Sequence, residues 1–225
     1  MSTYVLIHGA ADSGWFWHLL EAELGARGHD VVAPDLPCDD DSAGLAEYAG
    51  TVVDAVGDRT SLIVVAQSFG GFTAPLVCDR VPVDLLVLLA GMVPAPGERP
   101  EDWAANTRLE EARREEDRRD GRAPDDEIAL FMQDVPPDLA AEALRRGRRQ
   151  SDTPGKDPWP LPAWPDVPTR FLLCRDDRVF PAEFMRRVAR DRLGLTADEI
   201  DGSHCVALSR PAELANRLES FRAER

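Results

Sequence analysis

Leu62-Ile63-Val64-Val65-Ala66-Gln67-Ser68-Phe69-Gly70-Gly71 is an apolar run that ends in small residues and passes directly into a helical stretch. A run that is apolar at successive positions suits a strand buried on both faces, and the helix that follows supplies the crossover a parallel neighbour needs. A serine on such a turn is held in a strained conformation with its hydroxyl presented outward. Its neighbours two positions away must be small for the backbones to pass. Ala66 and Gly70 meet that need. Alone, the turn reads equally as a nucleophile or as an ordinary serine at a helix start, where serine is a favoured cap.

Outward from this turn the alternation of strand and helix repeats. Thr3–Ile7, Asp30–Ala33, Ser61–Ala66, Val83–Leu89, Thr169–Cys174 and Ala197–Ile200 read as strands. Trp15–Arg27, Ala43–Val56, Phe69–Arg80, Ala182–Leu193 and Pro211–Ala223 read as helices, the last opening on a proline suited to a first turn. The pattern predicts an α/β fold, a doubly wound and mostly parallel sheet of about six strands. Between residues 94 and 168 the alternation breaks, and prolines, Arg-Glu runs and tryptophans take over. The expected organisation is therefore a core domain over 1–93, a helical cap insertion over 94–168 and the rest of the core over 169–225. Within the insertion, Glu110 with Arg114 and Glu115 with Arg119 stand at helical spacing on what reads as a solvated face. Phe131, Trp159 and Trp164 can face either a pocket or the core.

A serine hydroxyl is a weak nucleophile until a base takes its proton, so the reading of Ser68 requires a histidine later in the chain at the end of a strand. His204 is the only histidine after Ser68, in Asp201-Gly202-Ser203-His204-Cys205 between the last expected strand and helix. The imidazole needs a carboxylate to hold its tautomer and stabilise its charged form. Arg175-Asp176-Asp177-Arg178 follows the apolar strand Phe171–Cys174, and both aspartates are candidates; one of them can serve instead as a turn or capping residue. The order serine, aspartate, histidine agrees with a triad on this kind of sheet. The oxyanion of a tetrahedral intermediate needs two preorganised donors. The backbone amides of Phe69, directly after the nucleophile, and of Ala10, in Ile7-His8-Gly9-Ala10 after the first strand, are placed to supply them, with His8 supporting the loop.

Composition narrows the partner. The 225 residues are 44% hydrophobic and 7% aromatic, enough for a large core, and no apolar run approaches the roughly 20 residues of a bilayer span. A formal charge of -15 opposes nucleic acid and anionic membrane surfaces. A neutral small molecule fits better, and a homodimer is left open. Met1-Ser2-Thr3-Tyr4-Val5 lacks the basic start and cleavage site of a secretory signal, so the cytoplasm is the expected compartment. Cys38, Cys78, Cys174 and Cys205 are widely spaced and form neither a zinc nor a redox motif, which predicts reduced thiols.

Val5-Leu6-Ile7-His8-Gly9-Ala10 with Trp15 and Trp17, Asp35-Leu36-Pro37, the Ser68 turn, Asp177 to Pro181, and Gly202-Ser203-His204 together resemble the plant-type esterase and hydroxynitrile lyase branch of the α/β-hydrolases and its bacterial relatives. The resemblance covers most of the chain and is weakest through the insertion. It implies Ser68 as nucleophile and His204 as base. It favours Asp177 as the acid, because many members place that residue four positions before a proline, here Pro181. It implies no cofactor and no metal. Ala66 departs from the usual glycine, a mild change to another small residue. The lyases carry a threonine where this chain has Gly9 and a lysine after the catalytic histidine where it has Cys205. Without both marks the resemblance favours hydrolysis of a small apolar or aromatic ester over cyanohydrin cleavage. A non-catalytic small-molecule binder on the same fold is the remaining alternative.

Overall fold

Continuous apolar strands can be stable only where both faces are covered, and the computed structural model, which describes residues 1–121 and 127–224, shows how that is done. Six strands, β1 (Thr3–Ile7), β2 (Asp30–Val32), β3 (Leu62–Gln67), β4 (Leu85–Leu89), β5 (Thr169–Cys174) and β6 (Asp198–Ile200), form one sheet in the order β2-β1-β3-β4-β5-β6. Every pairing is parallel. β1, β3 and β4 are buried at every position, whereas the edge strands β2 and β6 are only partly so. That division explains why the central runs are apolar throughout and the edge runs are not.

Helices α1 (His18–Ala26), α2 (Leu45–Val56) and α3 (Gly70–Cys78) belong to the first half of the sheet. A single 3-10 turn, Gly14–Trp17, precedes α1, so the expected helix from Trp15 begins as a tighter turn. The segment between β4 and β5 carries α4 (Trp103–Thr107), α5 (Leu109–Asp120), α6 (Glu127–Phe131), α7 (Pro137–Arg146) and α8 (Thr153–Lys156). The chain closes with α9 (Ala182–Leu193), α10 (Val206–Ser209) and α11 (Pro211–Ala223). α1 packs against α11 and α2 against α3. The expected ranges 94–168 and 169–225 include residues 122–126 and 225, which lie outside the described residues. Among the described residues, no helix is long and apolar enough to cross a membrane.

The β4–β5 segment does not build a separate core. Trp103, Leu109, Met132, Val135, Ala140 and Trp159 join the same apolar cluster as the sheet. Trp159 is buried and donates its Nε1–H to the Phe72 carbonyl of α3 at 3.1 Å, and Trp164 stacks on it and donates to Thr169 Oγ1. Both tryptophans are therefore packing anchors. At the base of the segment, Arg192 of α9 makes a bidentate pair with buried Glu98 and also donates to the Val93 carbonyl. On α5, Glu110 pairs with Arg113 and Glu116 with Arg119, at a spacing one residue closer than that expected.

Candidate active site

β1 and β3 are neighbours from which the chain departs in opposite directions, and the carboxyl ends of strands at such a switch point are where ligands bind in open α/β sheets. Gly9 and Ser68 emerge there. Ser68 has φ of 52°, a left-handed conformation that a non-glycine residue adopts only when its surroundings impose it. Three contacts impose it: the Ser68 amide donates to Leu89 O at 3.3 Å, and its carbonyl accepts from Gly71 N at 3.1 Å and Met92 N at 2.9 Å. A Cβ at Gly70 would lie 2.9 Å from His8 O, while one at Gly71 would lie 2.0 Å from Met92 O. The need for small residues was legible at Gly70. The harder constraint falls on Gly71, against a loop distant in sequence.

The other predicted residues converge on the same sheet edge. Asp177 follows β5 and His204 follows β6, and His204 Nδ1 lies 2.7 Å from Asp177 Oδ2. Their side chains are 1% and 3% exposed respectively, so little water competes for this bond. The second oxygen of Asp177 accepts from the amides of Val179 at 2.8 Å and Phe180 at 2.9 Å. With Nδ1–H donating to the carboxylate, Nε2 is the ring nitrogen that carries a free lone pair. Asp176 is used differently. Its Oδ2 accepts from Gly202 N at 3.0 Å and its own amide donates to Gly202 O, which braces the β5 loop against the histidine loop.

Apolar rings bound the imidazole. Phe180 and Phe131 each meet it edge to face, with centroids 5.1 Å and 5.6 Å away. Of the three aromatics that could have faced a pocket, only Phe131 touches this site. Phe131 also accepts the Cys205 amide through its carbonyl, while Gln133 and Arg178 donate to the Asp176 and Ala129 carbonyls. The α6 region is thus tied to both loops that hold the pair. Gln67, which no motif singled out, is buried beside Ser68 and donates to the His204 carbonyl at 3.4 Å. Its Oε1 occupies the space a Cβ at Gly9 would need, only 2.4 Å away, with Ser68 Cβ at 3.1 Å. Cys205 is buried, and burial, aided by the charges of Asp12, Asp177 and Asp134, raises its thiol well above the ordinary range.

On the β1 side, His8 is buried, with Nδ1 2.8 Å from Gly9 O and Nε2 accepting the Leu36 amide at 3.0 Å. Those partners fix its proton on Nδ1. Burial pushes the imidazole down to about 4, against the weaker raising effects of the Gly9 bond and Asp35, so it stays neutral near pH 7. The Gly9–Ala10 peptide is consequently oriented through its carbonyl. Among the described residues, no acceptor pairs with the amides of Ala10 or Phe69. Nor does any group of three or more His, Cys, Asp or Glu side chains stand ready to hold a metal ion among those residues. The four cysteines are free thiols.

A sheet of this order with a strained serine after β3 and a buried acid-histidine pair after β5 and β6 defines a hydrolase-type architecture. Residues 4–217 match the family described as "Alpha/beta hydrolase family", and the chain belongs to that family. It is 24% identical to norfluorocurarine synthase 1 of Strychnos sp over 260 aligned positions, covering 97% of this chain and 94% of that one. It is 28% identical to the probable esterase PIR7A of Oryza sativa subsp. japonica over 250 positions, covering 96% and 94%. Among solved structures, an extracellular alpha/beta-hydrolase from a Paenibacillus species, described as sharing structural and functional homology with tobacco salicylic acid binding protein 2, superposes with a TM-score of 0.80 at 21% identity over 98% of both chains.

Proposed function

We propose that this protein is a serine carboxylesterase that acts on a small apolar or aromatic ester through an acyl-enzyme. The observation that carries the reading is the buried 2.7 Å pair of His204 and Asp177 at the sheet edge that also presents the strained Ser68. A relative described as a probable esterase supports the same chemistry.

His204 Nε2 takes the Ser68 proton as Oγ attacks the ester carbonyl, and the amides of Ala10 and Phe69 hold the oxyanion. His204 then gives its proton to the departing alcohol. Water, activated by the same nitrogen, releases the acid and restores the serine. Asp177 holds the Nδ1–H tautomer and stabilises the imidazolium without taking its proton. The cap, residues 94–168, contributes Phe131 to the wall around the base. Cyanohydrin cleavage is disfavoured on two counts: Gln67 crowds any side chain at Gly9, and the residue after His204 is a neutral thiol where departing cyanide would call for a cation.

A panel of p-nitrophenyl, aryl and methyl esters tests the proposal. The wild-type chain is expected to hydrolyse at least one class, with Ser68→Ala slower by more than about 10³-fold. A Ser68→Ala variant as active as wild type, or a folded wild type inactive on the whole panel, contradicts it.

A further inference from the structure

From the geometry we infer that Gln150 is a positioning residue for the oxyanion hole, acting through Ala11 from outside the core sheet; the inference rests on the esterase reading above. The donor in question, Ala10 N–H, belongs to the first of three consecutive peptide planes, and each plane is held by one hydrogen bond. His8 holds the Gly9 carbonyl at 2.8 Å. Gln150 Oε1 accepts the Ala11 amide at 3.0 Å. The Arg148 amide donates to the Ala11 carbonyl at 2.8 Å. Only the first of these anchors comes from the sheet domain; the other two come from the chain that follows α7.

Ala11 needs holding. Its φ is 58°, left-handed and unfavourable for a residue with a Cβ, and a loop free to relax would return it to negative φ. That relaxation rotates the Ala10–Ala11 peptide and moves Ala10, whose amide must point at the oxyanion to within a small angle to be useful. Gln150 is itself fixed. Its Nε2 donates to the hydroxyl of buried Tyr48 on α2 and to the Ser151 carbonyl, both at 3.0 Å. With both acceptors on that end, the oxygen faces Ala11, and a flipped amide would set N–H against N–H.

The strap from Arg148 to Ser151 is fastened to the segment that also fixes His8. Arg148 donates to the Leu36 carbonyl at 2.8 Å and pairs with Asp39, and the Ser151 amide donates to the Cys38 carbonyl at 2.6 Å. Leu36 therefore anchors both clamps, giving its N–H to His8 and its carbonyl to Arg148. The strap reaches the oxyanion loop through its two hydrogen bonds to Ala11.

Gln150→Met removes the acceptor at similar length. With the best ester of the panel, Gln150→Met is expected to lower kcat about tenfold with KM within about twofold. Affinity for a trifluoromethyl ketone, which Ser68 converts to an oxyanion adduct, is expected to fall by the same factor as kcat, while affinity for the matching non-reacting methyl ketone stays. A folded Gln150→Met with unchanged kcat and ketone affinity overturns the inference. If Gln150→Met does not fold, Tyr48→Phe, which removes one of the two acceptors of the Gln150 amide, is expected to lower kcat and trifluoromethyl ketone affinity together by about threefold; no joint change overturns the inference. A wild-type chain without Ser68-dependent ester turnover overturns the esterase reading and the strap's role with it, whereas an active wild type beside an unaffected Gln150→Met overturns the strap alone.

Discussion

His8 and Asp12 sit in the same loop after β1 and respond to burial in opposite ways. Burial lowers His8 from 6.5 to about 4 and raises Asp12 from 3.8 to about 6, the latter opposed by the Ser13 amide and reinforced by Asp35. Between about pH 4 and 6 the folded chain keeps both neutral, while the unfolded chain charges both. For His8 the unfolded state binds the extra proton, so its contribution is intact above 6.5 and lost as pH falls toward 4. For Asp12 the folded state binds the extra proton, so its contribution is intact below 3.8 and lost as pH rises toward 6. Each effect is about 3 kcal/mol when fully developed, and across the shared window they nearly cancel. Asp12→Asn, which keeps an acceptor for Ser13, removes one side of the balance. Denaturant titrations at several pH values are expected to show this variant more stable than wild type at pH 7 and losing about 3 kcal/mol more than wild type on going to pH 4. Parallel pH profiles would contradict the assignment. Neither shift was legible in the sequence, because both depend on how the loop is covered by residues 35–38 and 148–151.

The β5 loop shows what an element decides that its residues alone do not. Asp176 and Asp177 are adjacent and chemically identical, and spacing from the strand left both as candidates. The fold separates them: Asp177 turns inward to the imidazole and two amides, and Asp176 turns outward to brace Gly202. Only the proline spacing of a resembling family favoured Asp177 beforehand. Asp177→Asn is expected to lower kcat by on the order of 10⁴-fold by destabilising the productive tautomer. Asp176→Ala is expected to cost about 1 kcal/mol of stability for its lost hydrogen bond and to leave kcat within about tenfold of wild type. Steady-state kinetics and melting of the two variants decide the matter, and equal losses of kcat would contradict the division of roles. The strap from Arg148 to Ser151 was the least legible element. Its backbone, the Arg148 guanidinium and the Gln150 amide bond residues more than a hundred positions away, and no local pattern records those pairings.

At the scale of the molecule, the alternation of apolar strand and helix was enough to anticipate a mostly parallel sheet of about six strands, and the sheet has six, all parallel, because burial on both faces writes itself directly into composition. Strand ends were less well defined: β3 continues through Gln67 and β4 begins at Leu85, since strand limits depend on which neighbours pair with them. The sheet then gathers residues from four loops at one edge, and the β4–β5 segment closes over them while sharing the sheet's own apolar core. Whether Ser68 is the nucleophile activated by His204 is decided by reaction of the folded protein with a fluorophosphonate, followed by intact mass and peptide mapping. One adduct per chain is expected, on Ser68, forming at least about 10²-fold more slowly in His204→Ala. No adduct on a folded wild-type chain, or an adduct at another residue, would contradict that role.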